Sequence, residues 1–293
     1  GAVYLGADMR GNLAGGNYSN NTAAQDGGAV FVNGGLSGNI AGAAFIANIA
    51  AGGHGGAVSL GALNGNVSGG SFERNNAGGS GGAMYFGGAA SGKFAETTFS
   101  NNSAGGDGGA LAFSRGSLVT FHNLQFENNA AGGHGGGVYF GTFAGTDYNV
   151  TFSADADKTT AFRNNTQGSG RNSFYVGGAA SNTNFNAVIA GEGTAAFYDP
   201  FTVDIGQSNF TLTHNAPQAT LIMSGVNDIR AEGGRRPFIS PPGRRRSGPT
   251  RPRARISACA SPATRTLRSP WAGATASASC AWTSGTAPCP WLT

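Results

Sequence analysis

The chain has 293 residues, 52 of them glycine, with only 11% charged residues and a formal net charge of +4. Glycine inside a helix costs about 1 kcal/mol relative to alanine, so a largely helical protein is excluded. Nor does the net charge indicate a nucleic-acid partner: residues 1–234 hold 8 Lys+Arg against all 14 Asp+Glu, a net of −6, while residues 235–293 hold 10 Arg and no acid, a net of +10.

The first predicted element is a strand, Ala2-Val3-Tyr4-Leu5, and its pattern returns down the chain. A small residue opens each copy (Ala29, Ala57, Ala83, Ala110, Gly137), followed by an aliphatic one (Val30, Val58, Met84, Leu111, Val138). The fourth position is large and apolar (Val32, Leu60, Phe86, Phe113, Phe140), and the third varies (Phe31, Ser59, Tyr85, Ala112, Tyr139). One face fixed and the other free is the pattern of a half-buried strand. A Gly-Gly pair precedes each copy, from Gly27-Gly28 to Gly135-Gly136, marking a corner that needs positive φ or close backbone approach.

Between these strands lies a second signature, aromatic-x-x-Asn-x-Ala. Its aromatics are Tyr18, Phe45, Phe72, Phe99 and Phe126, at a constant interval of 27; its asparagines are Asn21, Asn48, Asn75, Asn102 and Asn129. A period of this length means stacked units, none of which buries its apolar face alone. The predicted fold is all-β, a right-handed parallel β-helix (solenoid). Each 27-residue coil has two or three short strands and stacks at about 4.8 Å, with like residue on like residue. The aromatics then form an interior stack and the asparagines an amide ladder. The second repeat has one residue more before Ala57 and one fewer after it, a change that loops are expected to absorb. Beyond Phe140 the coils lengthen: Phe162 and Asn165 restore the motif 36 residues after Phe126. The solenoid is expected to run to about Ile229, roughly eight coils and 40 Å.

Two domains follow: 1–234 as the solenoid, opening inside a repeat as a truncated fragment would, and 235–293 as a tail. The tail holds 9 of 11 prolines and all three cysteines, Cys259, Cys280 and Cys289. Runs such as Arg244-Arg245-Arg246 suit a basic arm, a disordered segment, or, fitting best, a GC-rich gene read out of frame. The cysteine-free body suits export through an oxidising compartment.

The scaffold carries few groups suited to chemistry. Asp26 with His54, and Asp107 with His134, precede Gly-Gly on neighbouring coils. Such a pair offers two ligands to a transition metal, too few for a firm site, and polar residues at an exposed corner are the simpler reading. Asp155 and Asp157 are the acids close in sequence and read as a solvated loop in the irregular insertion before Phe162. No Asp recurs where a calcium nonapeptide repeat needs one, and no Gly-Lys-Ser/Thr follows a glycine cluster. No catalytic residue, metal or cofactor is expected.

Aromatic-x-x-Asn-x-Ala paired with Gly-Gly-Ala-aliphatic, as in Phe99-Ser-Asn-Asn102-Ser-Ala104 and Gly108-Gly109-Ala110-Leu111, resembles the motif pair of the polymorphic outer-membrane proteins and, more broadly, of autotransporter passenger domains. The segment Phe197-Tyr198-Asp199-Pro200 looks like one found late in such passengers. The resemblance covers about residues 1–230. It implies a passenger at the bacterial cell surface or secreted, acting in adhesion to a host-cell protein or glycan, with a C-terminal outer-membrane β-barrel that this sequence lacks. A purely structural spacer and a carbohydrate-active β-helix enzyme are the alternatives. The candidate binding ribbon is the outward third position: Tyr4, Phe31, Tyr85 and Tyr139.

Overall fold

The computed structural model describes residues 1–141, 145–177, 183–204, 209–214, 216–224 and 228–230, with the short strands Pro237–Phe238, Arg265–Leu267 and Cys280–Ala281. The reading of 235–293 as a disordered or out-of-frame tail falls almost wholly outside these residues. The described chain is all-β and forms a right-handed parallel β-solenoid of about 8 turns. Right-handed crossover is the rule for parallel strands whose own twist is right-handed.

Each regular coil contributes to three parallel sheets. The first carries strands such as Val30–Ser37, Val58–Asn64, Met84–Phe86 and Leu111–Phe113, and continues through Ala90–Ala95 and Leu118–His122. The second carries Ala44–Ile46, Ser71–Glu73, Thr98–Ser100 and Gln125–Glu127, and the third two-residue strands such as Asn76–Ala77 and Ser103–Ala104. The register is that of the repeat: Val58 faces Met84, Phe72 faces Phe99, and Ala77 faces Ala104. Register also survives the longer coils, where Phe126 faces Phe162 and Tyr139 faces Tyr175. The indel in the second repeat is absorbed partly inside a strand, by a register shift between Leu60 and Ala62. A bulge accommodates one extra residue there without turning the buried face outward.

The core is a set of columns. Rings of Tyr18, Phe45, Phe72, Phe99 and Phe126 stack with centroids 4.7, 4.7, 5.0 and 5.0 Å apart, and Phe162 follows at 4.5 Å. A second column runs Phe86, Phe113, Phe140. A fully buried phenylalanine contributes about 1.5–3 kcal/mol over an exposed one, so stability scales with the number of stacked coils.

The Asn column is continuous and directional. Each side-chain amide donates to the next coil's Oδ1, from Asn21 to Asn48, Asn75, Asn102, Asn129 and Asn165. The same Oδ1 accepts that coil's backbone N–H, as Asn102 Oδ1 does from Asn75. From Asn48 onward each amide also donates back to the carbonyl of an aromatic, as Asn102 does to Phe72, whereas Asn21 donates to the Ser19 carbonyl. The last member is not asparagine: Asn165 Nδ2 and N donate to Asp199 Oδ2 at 3.1 and 2.7 Å, and Asn164 N donates to Oδ1 at 3.0 Å.

At the corner the two glycines divide the work. The first has positive φ (65° at Gly27, 71° at Gly81, 70° at Gly108), which L-residues adopt only at a cost. The second permits close approach: a β-carbon on Gly82 would collide with the Gly109 carbonyl oxygen.

Candidate functional site

The sequence-derived candidates lie at two places. The Asp/His corner column proves to be a backbone cap. Asp26 Oδ1 accepts the His54 N–H at 2.6 Å, His54 Nδ1 accepts the Ser80 N–H at 2.9 Å, Ser80 Oγ accepts the Asp107 N–H at 3.1 Å, and Asp107 Oδ1 accepts the His134 N–H at 2.7 Å. Each side chain serves the next coil's main chain, so the polar-corner reading describes this column. The same device recurs at Asn12, Asn39 and Asn66, whose Oδ1 atoms cap Asn39, Asn66 and Lys93. Their spacing of 27 was a usable sequence signal that the motif columns did not include.

The ribbon residues fall in one row, in register from Tyr4 to Phe31 to Ser59 to Tyr85. Tyr4 is 76% exposed, whereas Phe31, Tyr85 and Tyr139 are half-buried, and Ser59 and Ala112 are buried. Tyr4 stacks on Phe31 at 5.3 Å. Corner imidazoles cover part of the row: His54 stacks on Tyr85 and His134 on Tyr175, each at 4.3 Å. Tyr85 Oη accepts from Ser114 Oγ, and Tyr139 Oη donates to the Gly177 carbonyl. Burial pushes the Tyr139 phenol up to about 12. Tyr175, which stacks with Tyr139 at 6.1 Å, extends the row by one coil.

A third locus was invisible in the motif columns. Glu96 follows strand Ala90–Ala95, His122 ends strand Leu118–His122, and Asp155 follows strand Tyr148–Ala154, so all three occupy the same edge of the first sheet on successive coils. This turn is left-handed in five coils: Gly15, Gly42 and Gly69, then Glu96 at φ 50° and Asn123 at φ 52°. The coil after His122 carries the insertion, and Asp155–Lys158 forms its turn. His122 Nε2 lies 3.3 Å from Asp155 Oδ1, with the imidazole largely covered and Nδ1 3.0 Å from Ser153 Oγ. Asn123 Nδ2 donates to both Glu96 Oε1, at 2.7 Å, and Asp155 Oδ2, at 2.8 Å. Lys158 Nζ reaches Glu96 Oε1 at 2.8 Å and Asp155 Oδ2 at 3.6 Å. The hydrogen bond from Lys158 holds the Glu96 carboxyl below its ordinary value, and that from Asn123 does the same for Asp155. Asp155 is therefore solvent-exposed, as a loop residue should be, yet organised by three coils; Asp157 is exposed and joins none of these contacts. Beside the cluster opens a cleft of about 650 Å³ lined by His122, Thr151, Ser153, Asp155, Ala190 and Glu192.

No protein-family model, curated protein or solved structure matches the chain.

Proposed function

We propose that this chain is part of an autotransporter passenger of the polymorphic outer-membrane-protein type, displayed at the bacterial surface or secreted, which contacts host-cell proteins or glycans without catalysis. The observation that carries the reading is the coincidence of both motifs with structural columns: the aromatic-x-x-Asn-x-Ala residues are the ring stack and the ladder, and Gly-Gly is the corner. A rigid rod with an outward aromatic row suits presentation, because tyrosine and phenylalanine offer large contact area on few rotatable bonds.

A second reading, a spacer with no ligand of its own, draws support from the hydrogen bonds that commit the Tyr85 and Tyr139 hydroxyls to neighbouring coils. One experiment separates the two. Purified protein and the double variant Tyr85→Ser/Tyr139→Ser are compared for attachment to host epithelial cells and a glycan panel, with circular dichroism as the folding control. Attachment by the parent, lost in a folded double variant, supports the adhesive row. Attachment by neither favours the spacer, and attachment by both moves the binding face elsewhere.

A further inference from the structure

We infer that Glu96, His122 and Asp155 form a binding site for a first-row divalent transition metal of the zinc class, independent of the surface-contact proposal. The donor set is mixed, one imidazole nitrogen and two carboxylates, a combination that zinc and its neighbours accept and that calcium and magnesium do not seek. The three ligand atoms lie within 4.8 Å of one another. Metal–ligand bonds of about 2.1 Å in a tetrahedral arrangement put ligand atoms roughly 3.4 Å apart. The His122 Nε2 to Asp155 Oδ1 separation of 3.3 Å already meets that value. Glu96, whose side chain is half exposed, has only to swing inward by a rotamer change.

The surroundings supply what a metal site needs beyond its ligands. Ser153 Oγ sits on His122 Nδ1. When Nδ1 donates there, the Nε2 lone pair faces a carboxylate, an arrangement that calls for a cation between them. Asn123 grips one oxygen of each carboxylate, leaving Glu96 Oε2 and Asp155 Oδ1 to bind. The fourth coordination position would open toward the adjoining cleft, as at sites with three protein ligands. The internal cation at this place is Lys158, an ammonium on a flexible stem in the turn above the site. It competes with the metal, and its displacement into solvent is the step that binding requires.

That competition gives the test its sign. Zinc chloride alone is titrated calorimetrically, at pH 7.5, into the full chain carrying Cys259→Ser, Cys280→Ser and Cys289→Ser, so that thiolates cannot mimic the site. One equivalent per chain is expected. His122→Ala and Asp155→Asn should each weaken binding at least tenfold, His134→Ala should leave it unchanged, and Lys158→Met should tighten it severalfold. Circular dichroism confirms folding of each variant. Should His122→Ala fail to fold, Asp155→Asn and Glu96→Gln, both at half-exposed side chains and each expected to weaken binding, carry the comparison. Absence of uptake, uptake indifferent to both His122→Ala and Asp155→Asn, or weakening by Lys158→Met overturns the site.

Discussion

At the scale of single residues, the ladder and the corner differ in consequence although both are polar columns. Asn102 is buried and its side chain makes four hydrogen bonds: it accepts the backbone and side-chain N–H groups of Asn75 and donates to the Phe72 carbonyl and Asn129 Oδ1. Asp107 accepts one exposed N–H, that of His134, through its side chain. Asn102→Ala should therefore cost about 2–4 kcal/mol and Asp107→Ala about 0.5–1 kcal/mol, because buried unpaired groups carry a desolvation penalty that exposed ones escape. Urea unfolding of both variants checks the ranking, and equal costs would make the corner more than a cap. The asparagine column was legible because stacking forces the same residue into the same place every 27 positions. The left-handed positions beside it were not. Asn20, Asn101 and Asn128 announce themselves chemically, but Ala47 and Arg74 hold the same φ near 54°. Neighbouring coils impose that conformation against the local preference of these residues.

At the scale of the coil, Asp199 ends the ladder. Five amides from Asn48 to Asn165, and Asn21 before them, point their N–H ends toward it. Aligned hydrogen bonds polarise one another, so a negative group at the donor end closes the chain where a further amide would need a partner of its own. Burial of Asp199 pushes its carboxyl upward from the ordinary carboxylate range, against the opposing pull of the Asn165 and Asn164 N–H groups and Arg171. Asp199→Asn tests which effect governs stability. Its amide oxygen can keep both Asn165 bonds, but its NH₂ would face the Asn164 N–H, donor against donor. The expected loss is about 1–3 kcal/mol in urea unfolding; a neutral or stabilising change would show that the buried charge is a net cost. The cluster at Glu96, His122 and Asp155 lies at this scale too, and the sequence hid it for a geometric reason. Asn123 opens the same turn as Glu96, and Asp155 belongs to the insertion. The three residues therefore share no column even though the stacking sets them side by side. The ribbon was legible as a row but not in its degree of burial, since nothing in the alternation indicates that His54 and His134 fold over the tyrosines.

At the scale of the molecule, the account rests on one claim: coils of unequal length, 25 residues from Phe185 to Phe210 and 37 from Phe152 to Ile189, stack in register, so distance along the rod counts coils and not residues. Ser19, Ile46, Glu73, Ser100, Glu127 and Arg163 occupy one equivalent position in the second sheet. Glu127 is thus four coils from Ser19 and Arg163 five, although the last step spans 36 residues and the others 27. Spin labels on cysteines at Ser19 and Glu127, and at Ser19 and Arg163, in the chain freed of its three native cysteines, test this by pulsed dipolar spectroscopy. The backbone separations expected are about 19 and 24 Å, at roughly 4.8 Å per coil, with label linkers shifting both pairs alike. Two narrow distributions about 5 Å apart are the predicted result. Broad distributions, or a spacing between the pairs that departs from one coil, would contradict the stacked solenoid itself.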